Sequence, residues 1–369
     1  MTHLPFQTTF AARLRRLVRS PIALALLALP GCGEGEKRIE CIDWDSNLGA
    51  CLTKEEALAE FQRTESCGNS HQSVDSEAVE KNGQCCYEVT ITDECCDGAN
   101  CPIEGRPLLI DGESVRAGVV QRDTGWNGQT PENTLADLSA EERAMIGAMW
   151  LRAAEQEHAS IASFGRFALE LLRFGAPSAL VAAAHSAALD EVRHAEACFA
   201  LAARYTRGEV GPGALPVPTH LPLAKDLAAL ASAVVEEGCV GETVAAMFAA
   251  EQRSYATDGQ VQRALDAIMR EEAAHAELAW ATLKWAVAQG GEPVRKAAVT
   301  AFERAAKRIE MYGSDAVTIR ASTEVGAAHG RLSGAVFRRV ATQTLRDVLL
   351  PCAEAMGVAP LRKSASISA

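Results

Sequence analysis

Two Glu-x-x-His runs, Glu191-Val192-Arg193-His194 and Glu272-Ala273-Ala274-His275, lie in separate Ala-rich stretches of helical pattern. On a helix, positions i and i+3 share a face, so each run sets a carboxylate beside an imidazole. Glu157 and Glu242 precede the two runs by 34 and 30 residues. Across a hairpin of antiparallel helices such spacings correspond to arms of about fifteen residues, roughly 22 Å each at 1.5 Å per residue. Each half of this internal repeat can therefore bring one more carboxylate level with its pair. Four carboxylates and two imidazoles make a ligand set for two metal ions. Four negative charges are tolerable in a core only when cations cancel them. Oxygen and imidazole donors without thiolate suit iron or manganese better than copper(I) or structural zinc. Two iron ions, or an iron–manganese pair, are the expected cofactors. Two adjacent ferrous ions can give two electrons to dioxygen, so redox chemistry on oxygen or peroxide is the expected activity.

A single Glu-x-x-His says little, because Glu155 and His158 make a third. Glu155 and Glu157 lie about 200° apart around a helix, so only one can face a core. Glu157 shares its face with Ile161 and Phe164, and Glu242 shares its face with Ala245, Ala246 and Ala249. Glu236 and Glu237 remain rivals of Glu242 in this reading. Cys198, one turn past His194, and Cys239, just before Glu242, are expected as buried free thiols. With the ligands level, their offset along parallel helices is about 15 Å, too far for a disulfide. His185, Trp150, Trp280 and Trp285 are expected to be packing residues.

Four helices must carry these groups. Ser139 with Glu142 forms a capping box opening the first, which runs to about Phe174. Gly175 ends it, and Pro177 suits the first position of a second helix that fades near Tyr205. A Gly- and Pro-rich connection follows. The third helix spans about 224–255. Thr257-Asp258-Gly259 turns into the fourth, which ends at Gly290-Gly291, and Pro293 begins further helices to about Met356, broken near Gly313 and bent at Pro351.

Short loop, long crossover, short loop is the connectivity of a ferritin-like bundle. Asp190-Glu191-Val192-Arg193-His194 is similar to the Asp-Glu-x-Arg-His run around the metal ligands of ribonucleotide reductase small subunits and bacterial multicomponent monooxygenases. Residues 136–290 thus resemble the ferritin-like superfamily, which also includes rubrerythrins. The resemblance implies terminal carboxylates at Glu157 and Glu242, bridging carboxylates at Glu191 and Glu272, and terminal imidazoles at His194 and His275. It implies that Asp190 orients an imidazole through its far ring nitrogen. In the second half Glu271 stands where the Asp would be and Ala274 where the Arg would be. The reductase small subunits place a radical-forming Tyr one turn past the His, where this chain has Cys198, which argues against a stable tyrosyl radical.

The remaining segments point to export. Arg13, Arg15, Arg16 and Arg19 form a basic region before the short apolar stretch Ile22–Leu29. Leu29-Pro30-Gly31-Cys32 resembles a bacterial lipobox, which implies lipidation of Cys32 and an anchor in the cell membrane or outer membrane. A plain cleaved signal peptide and twin-arginine export at Arg15-Arg16 are the alternatives. Cys41, Cys51, Cys67, Cys85, Cys86, Cys95, Cys96 and Cys101 crowd one exported segment and read as a disulfide framework, with a thiolate metal site as the rival. Strand pattern is visible at Tyr87–Thr92 and in a hairpin of Pro107–Ile110 with Val115–Val120. A net charge of −12 disfavours nucleic acid as a partner.

The expected fold is mainly α: a ferritin-like four-helix bundle with extra C-terminal helices, preceded by a small disulfide-rich segment with short β elements. The expected divisions are a signal peptide (1–31), the Cys-rich segment (32–105), hairpin and linker (106–135), the bundle (136–290) and a C-terminal helical region (291–369). The expected function is an envelope-anchored di-iron oxidoreductase served by an electron donor. Iron sequestration and a metal-free interaction scaffold are the alternatives.

Overall fold

The computed structural model of the chain describes residues 5–18, 36–43, 51–54, 56–57, 70–81, 84–92, 106–110, 113–122, 124–126, 135, 138–314 and 324–359. Mainly helical, the chain divides into two compact units. The smaller comprises residues 26–101 and 111–113.

In the smaller unit β4 (Gln84–Thr92) is the organising strand. It pairs antiparallel with β1 (Glu36–Asp43), β2 (Ser70–Val74) and β3 (Val79–Lys81). Only part of β4 was visible as strand pattern in the sequence. Its neighbours are polar and short of β-branched residues, so the pairing comes from the sheet and not from local propensity. Ala57, Val74, Cys85 and Tyr87 form a small core, and the Tyr87 hydroxyl donates to the Leu52 carbonyl (2.9 Å). Cys51 and Cys85 form a disulfide, and Cys86 is also disulfide-bonded. So small a core leans on such bridges. Cys32, Cys67, Cys95, Cys96 and Cys101 lie outside the described residues.

The larger unit is built on long helices. Helix α2 (Ala140–Arg173) opens with the expected Ser139/Glu142 capping box, and α3 (Ser178–Thr206) packs along its length. The connection after α3 is tied down at two points. Its strand β6 (Gly211–Pro212) pairs with β5 (Val119–Val120). The Ala224 N–H donates to Glu170 on α2 (2.8 Å). Val119–Val120 therefore pairs elsewhere than expected. The anticipated hairpin is present in shorter form: Leu109–Ile110 pairs with Glu113–Ser114, and the Val115 N–H donates to the Leu108 carbonyl (2.8 Å).

Helix α4 runs from residue 227 to 255 and changes character midway. An α-helical turn (Leu227–Ala233), capped by Asp226, leads into a π-helical segment (Val234–Glu242) and back to α-helix (Thr243–Tyr255). Arg204 and Asp258 form a two-bonded ion pair (2.9 Å each) at the turn into α5 (Gly259–Ser314), and Asp258 also accepts from the Gln260 and Val261 N–H groups. Helix α5 is kinked at Gly291, whose φ of 59° and ψ of −137° favour glycine. Pro293 restarts it, as the sequence predicts. Three shorter pieces follow: α6 (Glu324–Ala328), α7 (Gly334–Thr344) and, after a π-helical turn (Leu345–Leu349), α8 (Leu350–Met356). Phe302, Ile309, Val348 and Leu349 bury in the same core as Phe164, Val235 and Trp280. The C-terminal helices thus complete this unit's core.

The part of the expected leader that is described is helix α1 (Pro5–Val18), and it packs against the larger unit. Phe10, Leu14 and Val18, spaced four apart, are fully buried. Arg13 pairs with Glu277 (2.8 Å), and the Lys284 ammonium donates to the Leu17 carbonyl (3.1 Å). Residues 19–35, with the lipobox-like run and Cys32, lie outside the described residues.

The π-helical segment needs Gly238. A Cβ there would lie 2.5 Å from Ala279 Cβ on α5 and 3.2 Å from Arg106 Nη2. Gly238→Ala should destabilise the unit by about 1–3 kcal/mol through overpacking, lowering Tm by several degrees in a thermal melt. An unchanged Tm would contradict this close approach.

Candidate metal centre

The centre grows from four helices. Helix α2 supplies Glu157, α3 supplies Glu191 and His194, α4 supplies Glu242, and α5 supplies Glu272 and His275. Their side chains meet in the interior as two groups that could each hold an ion. Glu157, Glu191, His194 and Glu272 form one; Glu242, Glu272 and His275 form the other. In each, the ligand atoms lie within 4.8 Å of one another, and Glu272 belongs to both. Glu191 also faces both imidazoles, at 3.7 Å from His194 Nδ1 and 3.1 Å from His275 Nδ1. The ring centroids of His194 and His275 are 6.0 Å apart.

Burial is nearly complete at Glu191, His194, Glu242, Glu272 and His275, while Glu157 is partly accessible. Six polar atoms here are buried without a hydrogen-bond partner: Glu191 Oε2, both Glu242 oxygens, Glu272 Oε2 and the Nδ1 atoms of both histidines. An unsatisfied buried polar atom ordinarily costs about 1–3 kcal/mol, and more when charged. Six converging on one point need a common partner, and a pair of cations fits this donor set.

The outward face of each imidazole is held, and the support crosses over. His194 Nε2 meets Glu271 (2.7 Å) and His275 Nε2 meets Asp190 (3.2 Å), so each half's carboxylate orients the other half's ring. Arg193 bridges Asp190 and Glu271 at the helix surface. Glu271 thus does for His194 what Asp190 does for His275, although its residue type differs. Its bonds to His194 and Arg193 hold its pKa down to about 2, against partial burial. A carboxylate so strongly ionised fixes the proton on Nε2 and leaves Nδ1 facing the cluster.

The acidic residues of helix α4 take three different places. Glu242 enters the cluster. Glu236 points outward and pairs with Arg304 and Arg308. Glu237 is also buried but binds Arg166 with both oxygens (3.0 and 3.1 Å). In an α-helix residues five apart lie about 140° from one another. The π-helical i→i+5 geometry brings Glu237 and Glu242 to one side. The third Glu-x-x-His stays out: Glu155 is in neither group, and His158 stacks edge-on to Trp126 (5.0 Å).

Two arginines were missed by sequence reasoning. Arg166 was discoverable as a charge within the apolar run Phe164–Leu171. Arg106 was not, because it sits in aperiodic chain before the helices. Its guanidinium lies over Phe167 (4.2 Å) and Phe164 (5.0 Å), with Nε 3.8 Å from Glu242 Oε1. Trp150 and Trp280 are core residues as expected, whereas His185 is exposed: its helix face looks away from the core. Cys198 and Cys239 are buried free thiols, as the helix register requires.

Burial opposes protonation of His194 and His275, yet the carboxylates around them raise both well above the ordinary histidine range. Burial, reinforced by Glu272, raises Glu242 well above the carboxylate range. All three therefore favour their protonated forms in the metal-free fold. Metal uptake near neutral pH must displace those protons, so affinity should rise with pH and weaken as pH falls. Divalent-metal titration in weak buffer with a pH indicator should show proton release; uptake without release would contradict this electrostatic picture. No protein-family model, curated protein or solved structure matches this chain, so the centre stands on its own geometry.

Proposed function

We propose that the chain is an exported, ferritin-like four-helix protein whose buried centre binds two metal ions and reduces dioxygen or peroxide. The convergence of six unpartnered buried donor atoms from Glu191, Glu242, Glu272, His194 and His275 carries this reading. A metal-free scaffold would leave that cost without a purpose. Iron is the metal we infer, on the oxygen and imidazole donor set. When bound, a pair of such ions supplies the electrons that reduce the oxidant.

The chain's own residues shape what can reach the centre. A cavity of about 60 Å³ borders Glu157 and Glu272 and is walled by Trp150, Cys198, Ala249 and Ile268. With liquid water occupying about 30 Å³ per molecule, it has room for roughly two waters. Dioxygen and hydrogen peroxide are of that size. Glu157, the most accessible of the four carboxylates, stands on its wall. Asp190 and Glu271 hold the imidazoles by Nε2 while leaving Nδ1 inward. Turnover requires an external electron donor.

Elemental analysis of the purified chain after anaerobic loading with ferrous iron should find two metals, lost largely in Glu191→Ala and Glu272→Ala. Absence of bound metal in the wild type would sink the proposal. Oxygen or peroxide consumption by the loaded protein, continuing when a reductant is supplied, separates catalysis from storage; uptake that stops after one equivalent per centre favours storage.

Export is proposed on two supports, the lipobox-like run ending at Cys32 and the Cys51–Cys85 disulfide, a bond that persists in oxidising compartments. Cleavage there would remove α1 and uncover the surface beneath Phe10 and Leu14. Mass spectrometry of the N-terminal peptide from membranes should find a lipid-modified Cys32. A mature chain that retains residues 5–18 would overturn the leader assignment.

A further inference from the structure

The two halves of the centre differ in ligand number and in neighbouring charge. One group gathers four side chains, Glu157, Glu191, His194 and Glu272, while the other gathers three, Glu242, Glu272 and His275. Among the described residues, only the second has a fully buried arginine paired with one of its carboxylates. Arg106, 2% exposed, places Nε 3.8 Å from Glu242 Oε1 and Nη1 3.8 Å from Glu237 Oε2. Glu237 is already paired with Arg166 through both oxygens, so the Arg106 charge is left to act on Glu242. The Arg106–Glu242 approach is too long for a hydrogen bond, and Arg106 Nε and both Glu242 oxygens have no such partner. The guanidinium cannot easily swing away, since it lies over Phe167 and Phe164, and Phe164 in turn packs edge-on to His275 (4.9 Å). Beside the first group, exposed Arg193 bonds Asp190 and Glu271 rather than the inward carboxylates, and half-buried Arg331, over the Trp150 ring, lines the cavity that Glu157 and Glu272 border.

We propose that the two metal positions are unequal, and that Arg106 is the positioning residue that makes the Glu242 position the weaker. The inference rests on the di-metal reading of the centre. In the metal-free fold the Arg106 guanidinium stands beside the Glu242 carboxyl, and among the described residues no other arginine or lysine pairs with it. A metal ion arriving at Glu242 must share that carboxylate with a fixed like charge. The Glu157 position fills first, and the Glu242 position fills second, against the guanidinium.

Manganese(II) titration of the metal-free full-length chain, with free ion read by electron paramagnetic resonance, tests this. Wild type should show two dissociation constants separated by about tenfold or more, given the strength of unit-charge interactions at such distances. Arg106→Gln should tighten the weaker constant by about tenfold while lowering the Tm of the metal-free protein. Arg106→Lys, which keeps the charge, should preserve the separation, and it serves as the deciding variant if Arg106→Gln fails to fold. Glu242→Gln should lose the weaker site and keep the tighter one. Two equal constants in wild type overturn the inference while leaving the di-metal reading intact. A weaker constant that is unchanged or loosened in Arg106→Gln, equalised constants in Arg106→Lys, or loss of the tight site in Glu242→Gln also overturn it. A wild-type chain that binds no metal removes both readings together.

Discussion

Like charge buried in one place is the constraint from which the rest of the larger unit follows. Glu191, Glu242 and Glu272 are almost wholly withdrawn from water, and Glu157 is mostly so. Such groups are stable only beside cations or protons. Without metal, protons on His194, His275 and Glu242 do part of that work, which is why all three are shifted towards their protonated forms. Arg106 supplies a fixed positive charge, buried against the faces of two phenylalanine rings. The crossed bonds from Asp190 and Glu271 set which side of each imidazole faces the carboxylates. These bonds also join α3 to α5, so the same contacts that prepare the centre hold the helices in register.

That register depends on an irregular backbone. An uninterrupted α-helix through residues 234–242 would send Glu237 and Glu242 to different faces. The π-helical segment turns both inward, and Gly238 lets that segment approach Ala279 closely enough for Arg106 to fit alongside. Glu237 then receives Arg166, and Glu242 reaches the cluster. π-Helical segments are rare and concentrate at functional sites, where they re-aim side chains that regular geometry would misplace. Here the stored irregularity has an identifiable return: two acidic residues with separate partners on one short stretch of helix.

What the sequence disclosed and what it hid divide along the same physical line. Positions on regular helices obey a known period, so spacing pairs Glu191 with His194 and Glu272 with His275, the face shared with Ile161 and Phe164 favours Glu157 over Glu155, and caps mark the ends of α2 and α3. Glu242 stands in the cluster, but the sequence left Glu237 as its rival, because the change to π geometry leaves no mark in residue types. The crossing of Asp190 to His275 and Glu271 to His194 was invisible because it depends on how two distant helices dock. Arg106 lies where there is no period at all. The strands around β4 were missed for a related reason: polar edges with few β-branched residues carry no alternating signal, and the sheet exists by virtue of β4. Helix α1 shows the converse. Its basic residues and the apolar stretch after it read as a leader, yet Phe10, Leu14 and Val18 also form an apolar stripe at helical spacing, and that stripe is what packs.

Cysteine shows how one residue type meets two fates in this chain. Cys51 and Cys85 stand with Cα atoms 5.7 Å apart, within the range a disulfide can span. Cys198 and Cys239 sit on different helices of the larger unit and remain thiols. Cys198 lines the cavity beside the cluster, where an oxidant would arrive. Reactivity belongs to the thiolate, and burial together with the charge of Glu157 pushes the Cys198 pKa up to about 12. Burial alone is the largest influence on Cys239, which is raised well above the ordinary thiol range despite the neighbouring Arg106. The surroundings that make the carboxylate cluster expensive without cations therefore also keep these sulfurs protonated. A tyrosine at the Cys198 position would bring an oxidisable phenol against the centre; a protonated thiol fills the space with a small group and forms few hydrogen bonds. The same low-dielectric interior that concentrates charge on the ligands thus protects the sulfur beside them.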